Sequence, residues 1–464
     1  MKMNDLYKLV ENYLINHSEK LKINSKDIIK GDIFVALQGS KVHGNIYVQN
    51  AIKKGAKYII SEKKDDLFSK YINILIVDDA LLFLLSVANN KRTQFKGKII
   101  GVTGSAGKTS VKENLKYFLS GEAIVSASIK SYNNYLGVII SIINLDLSSD
   151  FAIFEIGTNN FNEIRSLTSL IMPSQVIITN ILPTHLENFK NTRNIAIEKS
   201  DIFNSKFNSN VELLVLPQNN EDEIYIKDLA EIHNIPNIIT LGDNAKQNFN
   251  LEMIQELESN FSLIRITSKK NVYEFKVNTN LHHRICNIII CFIIFNYNNL
   301  NISTFISLAK NIPEIEGRGF IKKIYLKKKI INFIDESYNA NPITMKICID
   351  YFSKINIVND QQKFLILGDM NELGEFSNEF HKEILQYIID QNFSNVIICG
   401  ELFYSAMKKL KIKGSSIRFM LDEMEIIHYL EEFLHNNDTI LIKGSNSTRV
   451  NKLGKILLGL KGVS

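Results

Sequence analysis

Residues 101–115 read GVTGSAGKTSVKENL. The stretch grows out of the apolar run KIIGVTG and leads into a segment of helical spacing, so it reads as strand, loop and helix. Glycines at Gly104 and Gly107 free the loop backbone, whose N–H groups, with the positive end of the following helix, can surround phosphate oxygens. Lys108 is placed to reach the outer phosphates and Thr109 to offer its hydroxyl to Mg²⁺, while Ser105, Ala106 and Ser110 complete the cradle. The strict pattern G-x-x-x-x-G-K-[ST] asks for Gly at 102, where Val102 stands; the spacing present is T-G-x-x-G-K-T from Thr103. The expected ligand is ATP or GTP.

Working outward, the same rhythm recurs. FAIFEIG (151–157) is an apolar strand with Glu155 at its tip, and QVIITN (175–180) ends in Asn180 with His185 in the loop beyond. A strand-end Glu standing alone is more often a solvated edge residue, but beside a phosphate loop its carboxylate can ligate Mg²⁺. Ahead of this region, residues 1–93 hold short β-type runs at 33–37 and 58–60, a helix-like stretch at 46–54 and an apolar helix near 80–91. After EIEGRGF (314–320) come four more strand-then-helix units, opened by IINFID, KFLILGD, NVIICG and TILIKG. Continuous apolar strands alternating with helices predict parallel sheets covered on both faces, with ligands at the carboxyl ends of the strands. Those ends carry the Gly, Asp and Asn residues.

A chain of 464 residues suggests about three domains at roughly 150 residues each. The net charge is +5, from 54 basic and 49 acidic residues, and the basic excess is scattered rather than striped, which gives no support to nucleic-acid binding. The four cysteines form no CxxC pair and no Cys/His cluster, a usage that fits a reducing cytoplasm. The N-terminus lacks a signal-peptide core, and the longest apolar run, IIICFIIF (288–295), is far below the roughly 18 residues of a membrane span. These features predict a cytosolic chain without membrane insertion.

Taken together, TGSAGKT, the strand ending in Glu155, THLENF (184–189) and IAIEKSDIF (195–203) resemble the Mur ligases, which build the peptide of bacterial peptidoglycan. DESYNANP (335–342), LGDMNELGE (367–375) and LIKGSNS (441–447) are similar to the family's C-terminal signatures, so the resemblance spans about residues 24–450. It implies an α/β fold of three domains: a small α/β UDP-binding domain over 1–93, a central P-loop parallel-sheet ATPase domain over 94–310, and a C-terminal Rossmann-like domain over 311–464 that closes over ATP and binds the acceptor. The implied reaction is ATP-dependent amide formation. ATP phosphorylates the peptide carboxylate of UDP-N-acetylmuramoyl-tripeptide, and the amine of D-alanyl-D-alanine attacks the acyl phosphate. A monomer is expected.

Carried over residue by residue, the resemblance gives Thr109 and Glu155 to a first Mg²⁺ and His185 to a second, with Lys199 carbamylated so that a cation becomes an anion able to support that second ion. Asn287, Arg318, Asp335 and Glu336 would add nucleotide contacts. Asn24, Ser25 and Lys26 would meet the UDP end of the donor, with Lys26 where the family usually has Arg, and Asn133 and Asn134 match its substrate-contacting pair. Asn339, Asn341, Asp369 and Glu372 would line the acceptor side. Gly317 and Gly319 would give the joint near 311–319 its hinge freedom.

Three positions depart from the family pattern: Asn160 replaces a histidine, Arg284 an asparagine and Glu336 an aspartate. None removes a phosphate, metal or carbamate residue, so an active enzyme is expected. The alternatives are a sister ligase or a folylpolyglutamate-synthase-like enzyme with another acceptor, a nucleotide-binding module that has lost its chemistry, and a P-loop kinase. SYNANP and LGDMNELG stand where a sister ligase for a dicarboxylic amino acid would carry DNPR-type basic recognition.

Overall fold

The computed structural model describes residues 3–39, 42–64, 73–217, 220–242, 248–257, 261–269, 271–355, 361–412 and 416–459. Two compact units divide the chain: Met1–Asn180 with Ala196–Asn311, and Ile181–Ile195 with Ile312–Ser464.

The first unit holds two sheets. The smaller is parallel, in the order β1 (Leu21–Lys22), β2 (Ile33–Ala36), β3 (Tyr58–Ser61), β4 (Ile74–Ile76). Its middle strands are buried throughout, and Phe34, Ile59, Val48 and Ala51 share a core beneath them. The helix-like stretch at 46–54 resolves into a 3-10 turn, Gly44–Tyr47, and a helix, Val48–Lys53. The apolar segment near 80–91 is a helix, Ala80–Gln94, capped by Asp79.

The larger sheet contains β5 (Lys98–Thr103), β6 (Val125–Ala127), β7 (Phe151–Glu155), β8 (Gln175–Ile178), β9 (Leu213–Pro217), β10 (Asn237–Gly242), β11 (Phe249–Leu257), β12 (Phe261–Ser268) and β13 (Val272–Val277). Its order is β13-β12-β11-β10-β9-β8-β5-β7-β6. The chain leaves β5, builds β6 and β7 on one side, then crosses to β8 on the other. That reversal opens a crevice at the carboxyl end of β5, where an α/β sheet takes its ligand. The part expected from apolar runs is parallel, whereas β11, β12 and β13 pair antiparallel. Glu252, Arg265 and Glu274 lie opposite one another across these three strands and ion-pair, so this end of the sheet alternates apolar and charged residues instead of running fully apolar.

The second unit holds β14 (Phe320–Leu326), β15 (Lys329–Glu336), β16 (Lys363–Gly368), β17 (Asn395–Cys399), β18 (Ile417–Phe419) and β19 (Thr439–Lys443), in the order β14-β15-β19-β16-β17-β18. Alternate residues face opposite ways. Leu365 and Leu367 join one core with Met345, Ile384 and Phe403, while Phe364 and Ile366 join another with Ile426, Leu430 and Leu453. Helices therefore cover both faces, as the four apolar runs predict. Two strands are additional: β14, an antiparallel edge rich in lysine, and β18, only three residues long. Among the described residues no helix is long and apolar enough to cross a membrane.

Candidate active site

The phosphate loop sits between β5 and the helix Lys108–Leu119. Gly107 caps that helix with φ 83° and Gly104 has φ 143°, conformations open to glycine and strained for other residues. A Cβ on Gly104 would be driven into the Thr179 hydroxyl, and one on Gly107 would come to 3.1 Å from the Asn287 amide oxygen. The loop is pinned by the end of β8: Asn180 accepts from Ser105 N (3.1 Å) through its carbonyl and from Ala106 N (2.9 Å) through its side chain, and Thr179 Oγ1 donates to Ala106 O. Lys108 Nζ folds back on Gly104 O at 2.7 Å.

Thr109 and Glu155, the pair assigned from the sequence to a first Mg²⁺, lie side by side. The hydroxyl donates to Glu155 Oε2 at 2.7 Å, and Asn133 Nδ2 donates to the other carboxylate oxygen at 2.8 Å. Glu155 is 1% exposed, so its charge is held at the strand tip among polar partners. Asn134 caps the helix Tyr135–Ile143 through Gly137 N. Ser110 is half-buried in the first turn of the loop's helix.

Lys199 is buried in the same unit, near the end of the helix Thr192–Ser200, and its Nζ makes no hydrogen bond among the described residues. Burial, and then repulsion from Lys108, hold its amine well below the usual lysine range, with Glu198 pulling the other way. Glu198 itself accepts from Asn162 N (2.7 Å) and Ile164 N (2.9 Å) at the start of the helix Glu163–Ile171. At the departure position Asn160, the side chain donates to Glu163 at 3.0 Å and closes the loop after β7. Asn24 caps a 3-10 turn, Ser25–Asp27, accepting from Lys26 N; Ser25 is buried, and Asn24 and Lys26 are exposed.

In the second unit, His185 lies in the segment 181–195 and its Nδ1 pairs with Glu372 at 2.5 Å. Both residues adopt positive φ, 52° and 65°. Arg318, between Gly317 (φ 73°) and Gly319 (φ 79°), stacks its guanidinium 4.2 Å over the Tyr338 ring. Asp335 and Glu336 end β15 and face opposite ways. Asp335 is buried and its carboxyl is raised by desolvation, against a hydrogen bond from Ser337. Glu336 pairs with buried Lys443 at 3.4 Å, and Lys443 also donates to Asn339 O at 3.1 Å. Asn341 closes a capping box with Thr344 on the helix Pro342–Lys354. Asp369 accepts from Leu402 N and Phe403 N, both at 3.1 Å, and so caps the helix Glu401–Lys409.

Three family models cover most of the chain: Mur ligase family, catalytic domain, over residues 17–92; Mur ligase middle domain, over 102–295; and Mur ligase, glutamate ligase domain, over 323–446. The UDP-N-acetylmuramoyl-tripeptide–D-alanyl-D-alanine ligase of Rickettsia prowazekii is 32% identical over 436 residues, 94% of each chain. The chain belongs to the Mur ligase family. Among solved structures, MurF from Acinetobacter baumannii aligns with TM-score 0.78 at 21% identity, covering 97% of this chain and 98% of that one. MurF ligase from Thermotoga maritima in complex with ADP aligns with TM-score 0.77 at 22% identity, covering 96% and 97%. The fold is thus the three-domain Mur ligase architecture, mixed α/β with parallel sheets.

For a Mur ligase, the donors offered to a cation suit magnesium. They are hard oxygens, a hydroxyl and a carboxylate. Among the described residues no group of three or more His, Cys, Asp or Glu gathers into a protein-only cage. Two further residues shape the loop: Thr179, which the sequence reading does not name, and Asn180, which it names only as a strand end. Their strand was legible, but only the order β7-β5-β8 places its end against the loop.

Proposed function

We propose that this Mur ligase joins D-alanyl-D-alanine to the peptide carboxylate of UDP-N-acetylmuramoyl-tripeptide, using ATP and Mg²⁺, through an acyl phosphate. The observation that carries the reading is the buried Thr109–Glu155 pair at 2.7 Å on the phosphate loop. It is supported by the name of the 32%-identical relative, which covers 94% of the chain. The phosphate loop binds and orients ATP, with Lys108 released from Gly104 O to the terminal phosphates. A free carboxylate is a poor acyl donor, and its mixed anhydride with phosphate has a good leaving group. Magnesium, when bound, screens the repulsion between carboxylate and γ-phosphate. Lys199 contributes once it is an anion: burial favours its neutral amine, the form that adds carbon dioxide, releasing a proton and leaving a carbamate.

The remaining assignments follow the same reading. Domain limits are 1–93, 94–310 and 311–464. Asn24, Ser25 and Lys26 take the UDP end, Asn133 and Asn134 the donor, and Asn287, Arg318, Asp335 and Glu336 the nucleotide. Asn339, Asn341, Asp369 and Glu372 belong to the acceptor side, and His185 to the second metal. The enzyme works as a cytoplasmic monomer.

The test is phosphate release by the pure protein with Mg²⁺-ATP, UDP-N-acetylmuramoyl-tripeptide and D-alanyl-D-alanine, omitting each in turn. Release that needs all three, with a product heavier by the dipeptide, supports the reading. Release with ATP alone, or none with any donor, overturns it.

A further inference from the structure

The phosphate site leaves a fully buried cation, Lys91, unused. Lys91, 0% exposed, lies in the last turn of the helix Ala80–Gln94, which carries the chain from the first sheet into the central one. Its Nζ donates to three carbonyls: Leu14 O (2.9 Å) and His17 O (3.1 Å) at the end of the N-terminal helix, and Ile143 O (2.7 Å) at the end of the helix Tyr135–Ile143. Its neighbour Arg92 donates to Ile171 O (2.6 Å) and Met172 O (3.1 Å), at the end of a fourth helix. An ammonium at helix C-termini sits where the carbonyl dipoles favour positive charge.

The helix 135–143 connects two places. At its start, Asn133 holds the Glu155 carboxylate. At its end, besides Lys91, the Asn144 side chain pairs with the backbone of β1 in both directions, accepting from Leu21 N at 2.8 Å and donating to Leu21 O at 3.0 Å. The short rod is thus pinned to the catalytic carboxylate at one end and to the first sheet at the other. A buried lysine is a costly way to hold two elements together, since an apolar side chain would do so without desolvating a charge. What the lysine adds is direction: three donors fix three carbonyls in one arrangement.

We propose that Lys91, together with Asn144, is a positioning residue that locks the first sheet to the Glu155 end of the central sheet. On the reading above, one donor molecule places its UDP end on the first sheet and its carboxylate near Glu155, so the lock sets the span the donor must bridge.

The test uses the full-length protein with nitroxide labels at Lys53→Cys on the first sheet's helix and Asp228→Cys on a central helix, in a Cys286→Ser background. Both labelled positions are exposed, and the other three cysteines are buried. Replacing Lys91 by Met keeps the side chain's length and removes its donors. The label-to-label distance distribution is expected to widen about twofold, and donor KM to rise about tenfold or more, with nucleotide affinity unchanged. Should Lys91→Met fail to fold, Asn144→Ala replaces it with the same expectation. An unchanged distribution overturns the lock. A widened distribution with an unchanged donor KM upholds the lock and overturns the placement of the donor on the first sheet.

Discussion

At the scale of single residues, the site depends on atoms that leave no space. Gly104 combines a φ of 143° with a side-chain direction blocked by Thr179, so Gly104→Ala must distort the phosphate loop. Nucleotide affinity of that variant should fall about tenfold or more, read by displacement of a fluorescent ATP analogue. Lys199 offers a second test. Under bicarbonate the intact protein should gain the mass of one carbon dioxide at this residue, and Lys199→Ala should lower kcat by about two orders of magnitude. A Lys199→Ala enzyme as active as the wild type would falsify its role. The pair of His185 with Glu372 at 2.5 Å shows why sequence alone gave the two residues separate jobs: positions so far apart in the chain meet only in the folded unit.

At the scale of elements, several residues assigned to substrates also hold helices. Asp369 places its carboxylate on two backbone N–H groups at the start of the helix Glu401–Lys409, and Gly400 leaves the space for it, since any Cβ there would strike that carboxylate. The Asp369→Ala variant should lose about 1–2 kcal/mol of stability, seen as a lower urea midpoint with unchanged slope. An unchanged midpoint would mean the cap carries no load. Behind Asp369, His381 is fully buried, accepting from Met370 N through Nε2. Burial holds its imidazole below the ordinary range, so the LGDM loop rests on a neutral ring. The sequence marked LGDM as a signature; its anchoring on His381 and on the next helix is tertiary information.

At the scale of the whole molecule, Lys91 makes stability depend on pH. Burial lowers its amine from 10.5 to about 8, with Asp146 pulling it back up. Between about pH 8 and 10.5 the unfolded chain therefore holds more protons at this site than the folded one, and this site's contribution to stability rises with pH. Below that window the folded state carries the full cost of the buried ammonium. Urea unfolding of wild type and Lys91→Met should show the wild type gaining on the variant as pH rises through the window. Parallel pH profiles would refute the assignment.

The strands with continuous apolar runs, the phosphate loop and the Glu155 strand tip were all legible in the sequence. Each depends on local periodicity, or on glycine and charge at fixed offsets within a few residues. The Mur ligase signatures were legible for the same reason. What only the tertiary structure decided was adjacency. The antiparallel strands β12 and β13 have half-exposed faces whose partners lie across a hairpin, so their hydrophobic signal is weak. Asn180 became a loop-shaping residue because β8 lies beside β5, and Lys91 became a lock because the ends of two other helices converge on it. A lysine in a helical sequence ordinarily reads as solvated surface. Its burial follows from helices distant in the chain, and no local pattern of residues encodes where those helices end.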